Sequence, residues 1–159
     1  MIIIGYPGIG KSTLGGRYHT YIDLESSNFN DKDGSKPENW HIAYCKLAED
    51  LSRQGYRVFV SCHKEVQEYL KNSEENVVIC YPCGMLKDKW VSRLKFRYDV
   101  DPSEKNQRAL DSALKWYDIH IKAIEESDFK NKLALTSIDY TLDNEIDNFI
   151  YKHYEKSSF

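Results

Sequence analysis

The run Gly5-Tyr6-Pro7-Gly8-Ile9-Gly10-Lys11-Ser12 matches G-x-x-x-x-G-K-[ST] at every fixed position. Glycines let a backbone curl until consecutive N–H groups point at one anion, and a helix opening at Ser12 adds the positive end of its dipole. The chemistry served by this pattern is capture of ATP: Lys11 reaches the β- and γ-phosphates, and the Ser12 hydroxyl ligates Mg2+. Gly5, Pro7, Gly8, Ile9, Gly10 and Thr13 complete the phosphate cradle. Three isoleucines before the loop and a helix-compatible segment after it give the motif the context it needs. Two further clusters carry charge of the kind phosphate chemistry uses. Asp23 and Glu25 stand one residue apart after a short apolar stretch. Lys87-Asp88-Lys89-Trp90-Val91-Ser92-Arg93-Leu94-Lys95-Phe96-Arg97-Tyr98 gathers cations, with Arg93 and Arg97 four apart and therefore on one face of a helix.

These groups need a scaffold, and the rest of the chain alternates short apolar runs with helical periodicity. After the first strand and a helix over 11–18, strands are predicted at 20–24, 57–61, 76–80 and 132–136, with Tyr81-Pro82 closing the fourth. Residues 25–37 are polar and turn-rich, hence a loop. A helix follows with Trp40, Tyr44, Leu47, Ala48 and Leu51 on one face, stopped by Gln54-Gly55. Further helices are predicted at 64–71, at 86–98 with Trp90 and Leu94 as its packing face, at 104–127 and at 142–155. The long one carries Leu110, Leu114, Tyr117, Ile121 and Ile124 as its stripe. Short strands separated by helices argue for parallel pairing, hence an α/β fold with helices on both faces of the sheet. Ligands in such sheets bind beyond the carboxyl ends of the strands. That singles out the glycine loop, 23–27, 61–63, 81–83 and 136–140.

Composition bounds the rest. A chain of 159 residues, 41% hydrophobic and 30% charged, reads as one domain spanning 1–159, with a basic lid segment at about 86–103. No apolar run approaches the roughly 18 residues of a membrane span, and Met1-Ile2-Ile3-Ile4 is too short for a signal peptide, so a cytoplasmic protein without a membrane partner is expected. With 22 Lys plus Arg against 25 Asp plus Glu, the formal net charge of -3 gives no broad electrostatic footprint for nucleic acid. Cys45, Cys62, Cys80 and Cys83 read as reduced thiols. The pair Cys80-x-x-Cys83 has only Cys62 and His63, on another strand, as further zinc ligands.

With its glycine loop near the first residue, five strand candidates and a basic helix before a late helix, the chain resembles the small P-loop kinases. These include nucleoside and nucleotide kinases, shikimate-type kinases and polynucleotide kinases. The likeness covers the whole chain as architecture and residues 5–12 as a specific motif. It implies a three-layer P-loop NTPase fold with a five-stranded parallel sheet in the order 2-3-1-4-5. It also implies phosphoryl transfer from ATP, with Mg2+, to a small acceptor such as a nucleoside or nucleotide.

In similar kinases a carboxylate after the second strand orients the acceptor hydroxyl or supports Mg2+, which makes Asp23 the candidate for both duties. Glu25 and Ser26 would line the acceptor site. The chain departs from the common pattern in lacking a carboxylate after the third strand (Val60-Ser61-Cys62-His63) or the fourth (Cys80-Tyr81-Pro82). Either Asp23 takes the metal-supporting role, or Ser61 acts through water. His63 contacts the acceptor or is structural. Arg93 and Arg97 close over the transferring phosphates, as lid arginines do, or belong to a solvated basic face. Tyr140, after the fifth strand, would border the adenine. Two alternatives to the small-acceptor kinase stay open: a small phage-type kinase acting on a DNA or RNA terminus or a hydroxylated base, and a P-loop ATPase that is no kinase.

Overall fold

The computed structural model describes residues 1–155. Five strands, β1 (Ile2–Gly5), β2 (Tyr21–Asp23), β3 (Arg57–Ser61), β4 (Val77–Pro82) and β5 (Lys132–Leu135), form one parallel sheet in the order β2-β3-β1-β4-β5. The α/β class and the strand order agree with the sequence-based expectation. The described residues also form six α-helices, five between strands and one after the last: α1 (Lys11–Arg17), α2 (Trp40–Arg53), α3 (Lys64–Leu70), α4 (Lys87–Val100), α5 (Glu104–Glu125) and α6 (Leu142–Ile150). No helix among the described residues is long and apolar enough to cross a membrane.

The chain divides into two compact units, the first built from residues 1–79 and 128–131 and the second from 80–127 and the segment after 131. In the first, β3 is the central strand, paired with β1 from Ile2↔Val58 to Gly5↔Ser61 and with β2 from Tyr21↔Arg57 to Asp23↔Phe59. Ile2, Ile3, Ile4, Val58, Phe59 and Val60 are all fully buried, as strands covered on both faces require. Along α2, Trp40, Tyr44, Cys45 and Ala48 are buried, and the helix packs on α3, β3 and β1. In the second unit α4 packs along α5, and its Trp90 and Leu94 are fully buried. The Tyr117 hydroxyl donates to Cys83 O at 2.9 Å, and Cys83 N–H donates to Leu135 O at 2.9 Å.

Several boundaries differ from expectation for physical reasons. Strand β4 runs on through Tyr81 and Pro82, because a proline at the last strand position forfeits only one donor. Residues 26–29 of the expected loop wind into a 3-10 turn. The stripe of α5 passes through Ala113 in place of Leu114, which is 58% exposed. The expected spacings of 4, 3, 4 and 3 and the observed 3, 4, 4 and 3 from Leu110 to Ile124 have the same mean period, so spacing alone does not separate position 113 from 114. On α2, Leu47 is likewise off the buried face. The last predicted helix ends at Ile150 and continues as a π turn, Tyr151–Glu155; the sequence beyond lies outside the described residues.

Helix α1 is short and carries two glycines, so packing must hold it. It lies on β2 so closely that a Cβ at Gly15 would stand 3.0 Å from Asp23 Cβ and 3.1 Å from Asp23 N, whereas one at Gly16 would meet nothing within 4 Å. Gly15→Ala is therefore expected to destabilise by about 1–3 kcal/mol through overpacking. Gly16→Ala should stabilise by about 0.5–1 kcal/mol through helix propensity. Urea titration of the two variants checks the opposite signs.

Candidate functional site

The glycine loop leaves β1 at Gly5 and enters α1 at Lys11. Gly8 (φ 91°) and Gly10 (φ 110°) both lie in the left-handed region, where a Cβ is strained, and Ile9 N–H between them donates to Tyr6 O at 3.4 Å. With only seven residues, α1 adds little macrodipole, so the cradle is chiefly the loop's own N–H groups. Gly5 is required by a close approach: a Cβ there would stand 2.6 Å from Lys11 Cδ and 2.7 Å from Ile9 Cδ1. The lysine stem thus lies across Gly5, and Lys11 Nζ donates to Gly5 O at 2.9 Å. Tyr6 and Ile9 are buried and anchor the loop, while Ser12 and Thr13 are exposed on the first turn of α1.

Asp23 is the last residue of β2. Its backbone and Cβ abut Gly15, which follows Ser12 by three residues and Lys11 by four, so all three share a side of α1. The carboxylate also bears on Tyr44: burial pushes that phenol up to about 12, with the bonds from Ser61 opposing and the Asp23 charge reinforcing the rise. Glu25 and Ser26 follow at the start of the 3-10 turn, both half-buried.

At the end of β3, Ser61 Oγ shares a 2.8 Å hydrogen bond with His63 Nδ1, and the imidazole meets the Trp40 ring edge-to-face with centroids 5.2 Å apart. Gln67 Nε2 donates to Cys62 O at 3.0 Å, tying this turn to α3. Desolvation against these neighbours lowers the His63 pKa. Glu65 opposes the shift, and the positive charges of Lys36 and Lys11 add to it. The Cys62 thiol is pushed up to about 11 by burial, with Lys11 pulling the other way. Lys11, Cys62 and His63 therefore occupy one electrostatic neighbourhood.

Two residues of this neighbourhood carried no signal in the sequence. Lys36, within the polar loop, donates to Ser26 O and to Asn30 Oδ1 and lies 4.5 Å above the Trp40 ring, folding residues 26–36 onto the start of α2. Tyr44, read from periodicity as packing alone, places its hydroxyl between the ends of β2 and β3.

The remaining candidates lie in the second unit. Arg93 donates to the Tyr140 hydroxyl at 2.9 Å and to Ile138 O at 3.0 Å, and its guanidinium stands 5.0 Å and 5.1 Å from the Trp90 and Tyr140 ring centres. Those two rings are nearly parallel, at 7°. Both Arg93 and Tyr140 thus bind the loop after β5 to α4. Arg97 is half-buried one turn further along, and Arg108 pairs with Glu104 at 3.6 Å on the surface of α5. Cys80 is buried within β4, and all four cysteines are free thiols.

Among the described residues no three His, Cys, Asp or Glu side chains converge as a ligand set. A cation held entirely by protein side chains therefore has no site among them, whereas Mg2+ carried on a phosphate ligand would need only one or two protein ligands. Ser12 and Asp23, flanking one side of α1, fit such a sparse ligand pair. Compared with known proteins, the chain matches no family model and no curated sequence.

The lowered pKa of His63 implies a neutral imidazole at pH 7. Followed by two-dimensional NMR, its titration is expected to fall below 6.5. Lys36→Met, by removing a neighbouring cation, should move the midpoint upward. A midpoint above 6.5 in the unsubstituted protein would contradict this account of the site.

Proposed function

We propose that the chain is an ATP-dependent phosphotransferase that moves the γ-phosphoryl group to a hydroxyl of a nucleoside, nucleotide or comparably small polar acceptor, on a P-loop NTPase fold. The observation that carries the reading is the contact of Gly15 with Asp23. It joins the carboxylate's strand directly to the helix bearing Lys11 and Ser12. Phosphoryl transfer asks for positioning and charge neutralisation more than for covalent chemistry, and these groups meet that need.

ATP with Mg2+ would supply the transferable group and part of its counter-charge. The loop N–H groups at Gly8, Gly10 and Lys11 would bind phosphate oxygens, while Ile9 N–H is given to Tyr6 O at 3.4 Å. Lys11 exchanges the Gly5 carbonyl for them, a swap between two oxygen acceptors that keeps the ammonium solvated throughout. Ser12 offers its exposed hydroxyl to the metal. Asp23 accepts the hydrogen bond of the attacking hydroxyl and holds its oxygen toward the phosphate. Neutral His63, fixed by Ser61 and Trp40, presents its other ring nitrogen to the acceptor without adding charge. Arg93, Arg97 and Tyr140 lie in the second unit, and none of these roles depends on them.

Labelled ATP with Mg2+ and a panel of nucleosides, nucleotides, oligonucleotides and small hydroxylated metabolites tests the proposal. Lys11→Ala should cut transfer by about 100- to 1000-fold, the scale of losing a charged transition-state donor. Asp23→Asn should lower kcat by about 100-fold or more while the ATP dissociation constant stays within about threefold. ATP hydrolysis without transfer to any acceptor would sink the kinase reading and leave an ATPase. Transfer to oligonucleotides alone would move the acceptor to nucleic acid.

A further inference from the structure

The β2–β3 ladder contains an intruder. Arg57 N–H donates to Thr20 O at 2.9 Å, and Leu24 N–H donates to Phe59 O at 3.0 Å. In a parallel ladder each strand repeats its contacts every second residue. The rung after these is therefore Ser61 N–H to Leu24 O. That bond is replaced: Ser61 N–H donates to Tyr44 Oη at 2.8 Å, and Tyr44 Oη donates to Leu24 O at 2.6 Å. Two bonds in series stand where one of about 2.9 Å would close the strands. The strands accordingly part immediately after Asp23, and assigned β2 ends there.

The phenol is held rigidly in this place. Its ring contacts Trp40 with centroids 5.2 Å apart and meets Phe29 edge-on at 5.2 Å, and the residue is fully buried. Both backbone groups that the split would orphan are satisfied by one hydroxyl, so the opening leaves no buried group unpaired. On one lip of the split stands Asp23. On the other stands Ser61 with its partner His63.

We propose that Tyr44 is a positioning residue whose hydroxyl wedges the carboxyl ends of β2 and β3 apart, so that the acceptor's hydroxyl enters between Asp23 and the Ser61–His63 pair. This rests on the kinase reading above and adds to it the device that makes room for the acceptor. Tyr44 touches neither nucleotide nor acceptor. Without its hydroxyl, Ser61 N–H and Leu24 O are free to bond directly, and the lips close.

Tyr44→Phe keeps the ring and removes only the wedge. The KM for the acceptor is expected to rise about tenfold or more, the scale of a small misplacement at a reacting centre, while the KM for ATP stays within about twofold. Scalar coupling across hydrogen bonds reads the wedge directly. Coupling between Ser61 15N and Leu24 13C′ should be undetectable in the unsubstituted protein and appear in the variant. Its detection in the unsubstituted protein overturns the proposal even if the variant fails to fold. So does a variant with lowered stability but unchanged acceptor KM, which would make Tyr44 a staple only. Absence of transfer by the unsubstituted protein to any acceptor overturns the kinase reading and this inference with it. Transfer with an unaltered acceptor KM in Tyr44→Phe overturns the inference alone.

Discussion

The ladder that joins β3 to β1 on one side and to β2 on the other puts three strand ends on one edge of the first unit. Gly5, Asp23 and Ser61 arrive there because the strands are parallel and in register. Antiparallel pairing of the same sequences would send one of them to the opposite edge. Because parallel neighbours must be joined by crossovers, α1 and α2 exist as connections before they serve any other purpose. Each then takes on a second task at the edge: α1 begins with Lys11 and Ser12, and α2 delivers Tyr44 between two strand ends.

Electrostatics at this edge is managed by partners more than by net charge. Lys11 and Lys36 each hold a backbone carbonyl, and Lys36 also faces an indole. Both cations help keep His63 neutral. A neutral imidazole bonded to a hydroxyl can accept or donate a hydrogen bond, whereas a third cation would only repel its neighbours. The thiol of Cys62, kept protonated by burial despite Lys11, adds no anion to this edge. In the second unit Arg93 is handled in the same way, its donors given to a carbonyl and a phenol and its face to two rings.

The α/β class, the succession of strands and helices along the chain and the glycine loop were legible from the sequence because each is written in local signals: apolar runs, helical spacing and a fixed pattern of glycines with Lys11 and Ser12; the order of the strands across the sheet was implied by the resemblance alone. Asp23 was legible as a residue at a strand end. The role of Tyr44 was not, because periodicity reports that a side chain faces inward and says nothing about what its far atom meets. Lys36 was hidden for a different reason: its partners, Ser26, Asn30 and Trp40, become neighbours only when a polar segment folds back on itself. Leu114 misled because it and Ala113 flank the stripe about equally, and the larger apolar side chain was chosen where the smaller one is buried. Arg93 was found as a cation on a helix face, but its commitment to Ile138 and Tyr140 depends on a contact 45 and 47 residues away.

The contact between Gly15 and Asp23 has a consequence for how this sequence can drift. A methyl at position 15 meets not only a side chain but the backbone nitrogen of residue 23, so no substitution at 23 relieves it. Any side chain at 15 requires helix and strand to part by a few tenths of an ångström, which shifts the lysine and serine at the helix start. The glycine at 15 thus bears on where the helix after the glycine loop sits although it lies outside the motif, and a pattern search confined to residues 5–12 would pass over it.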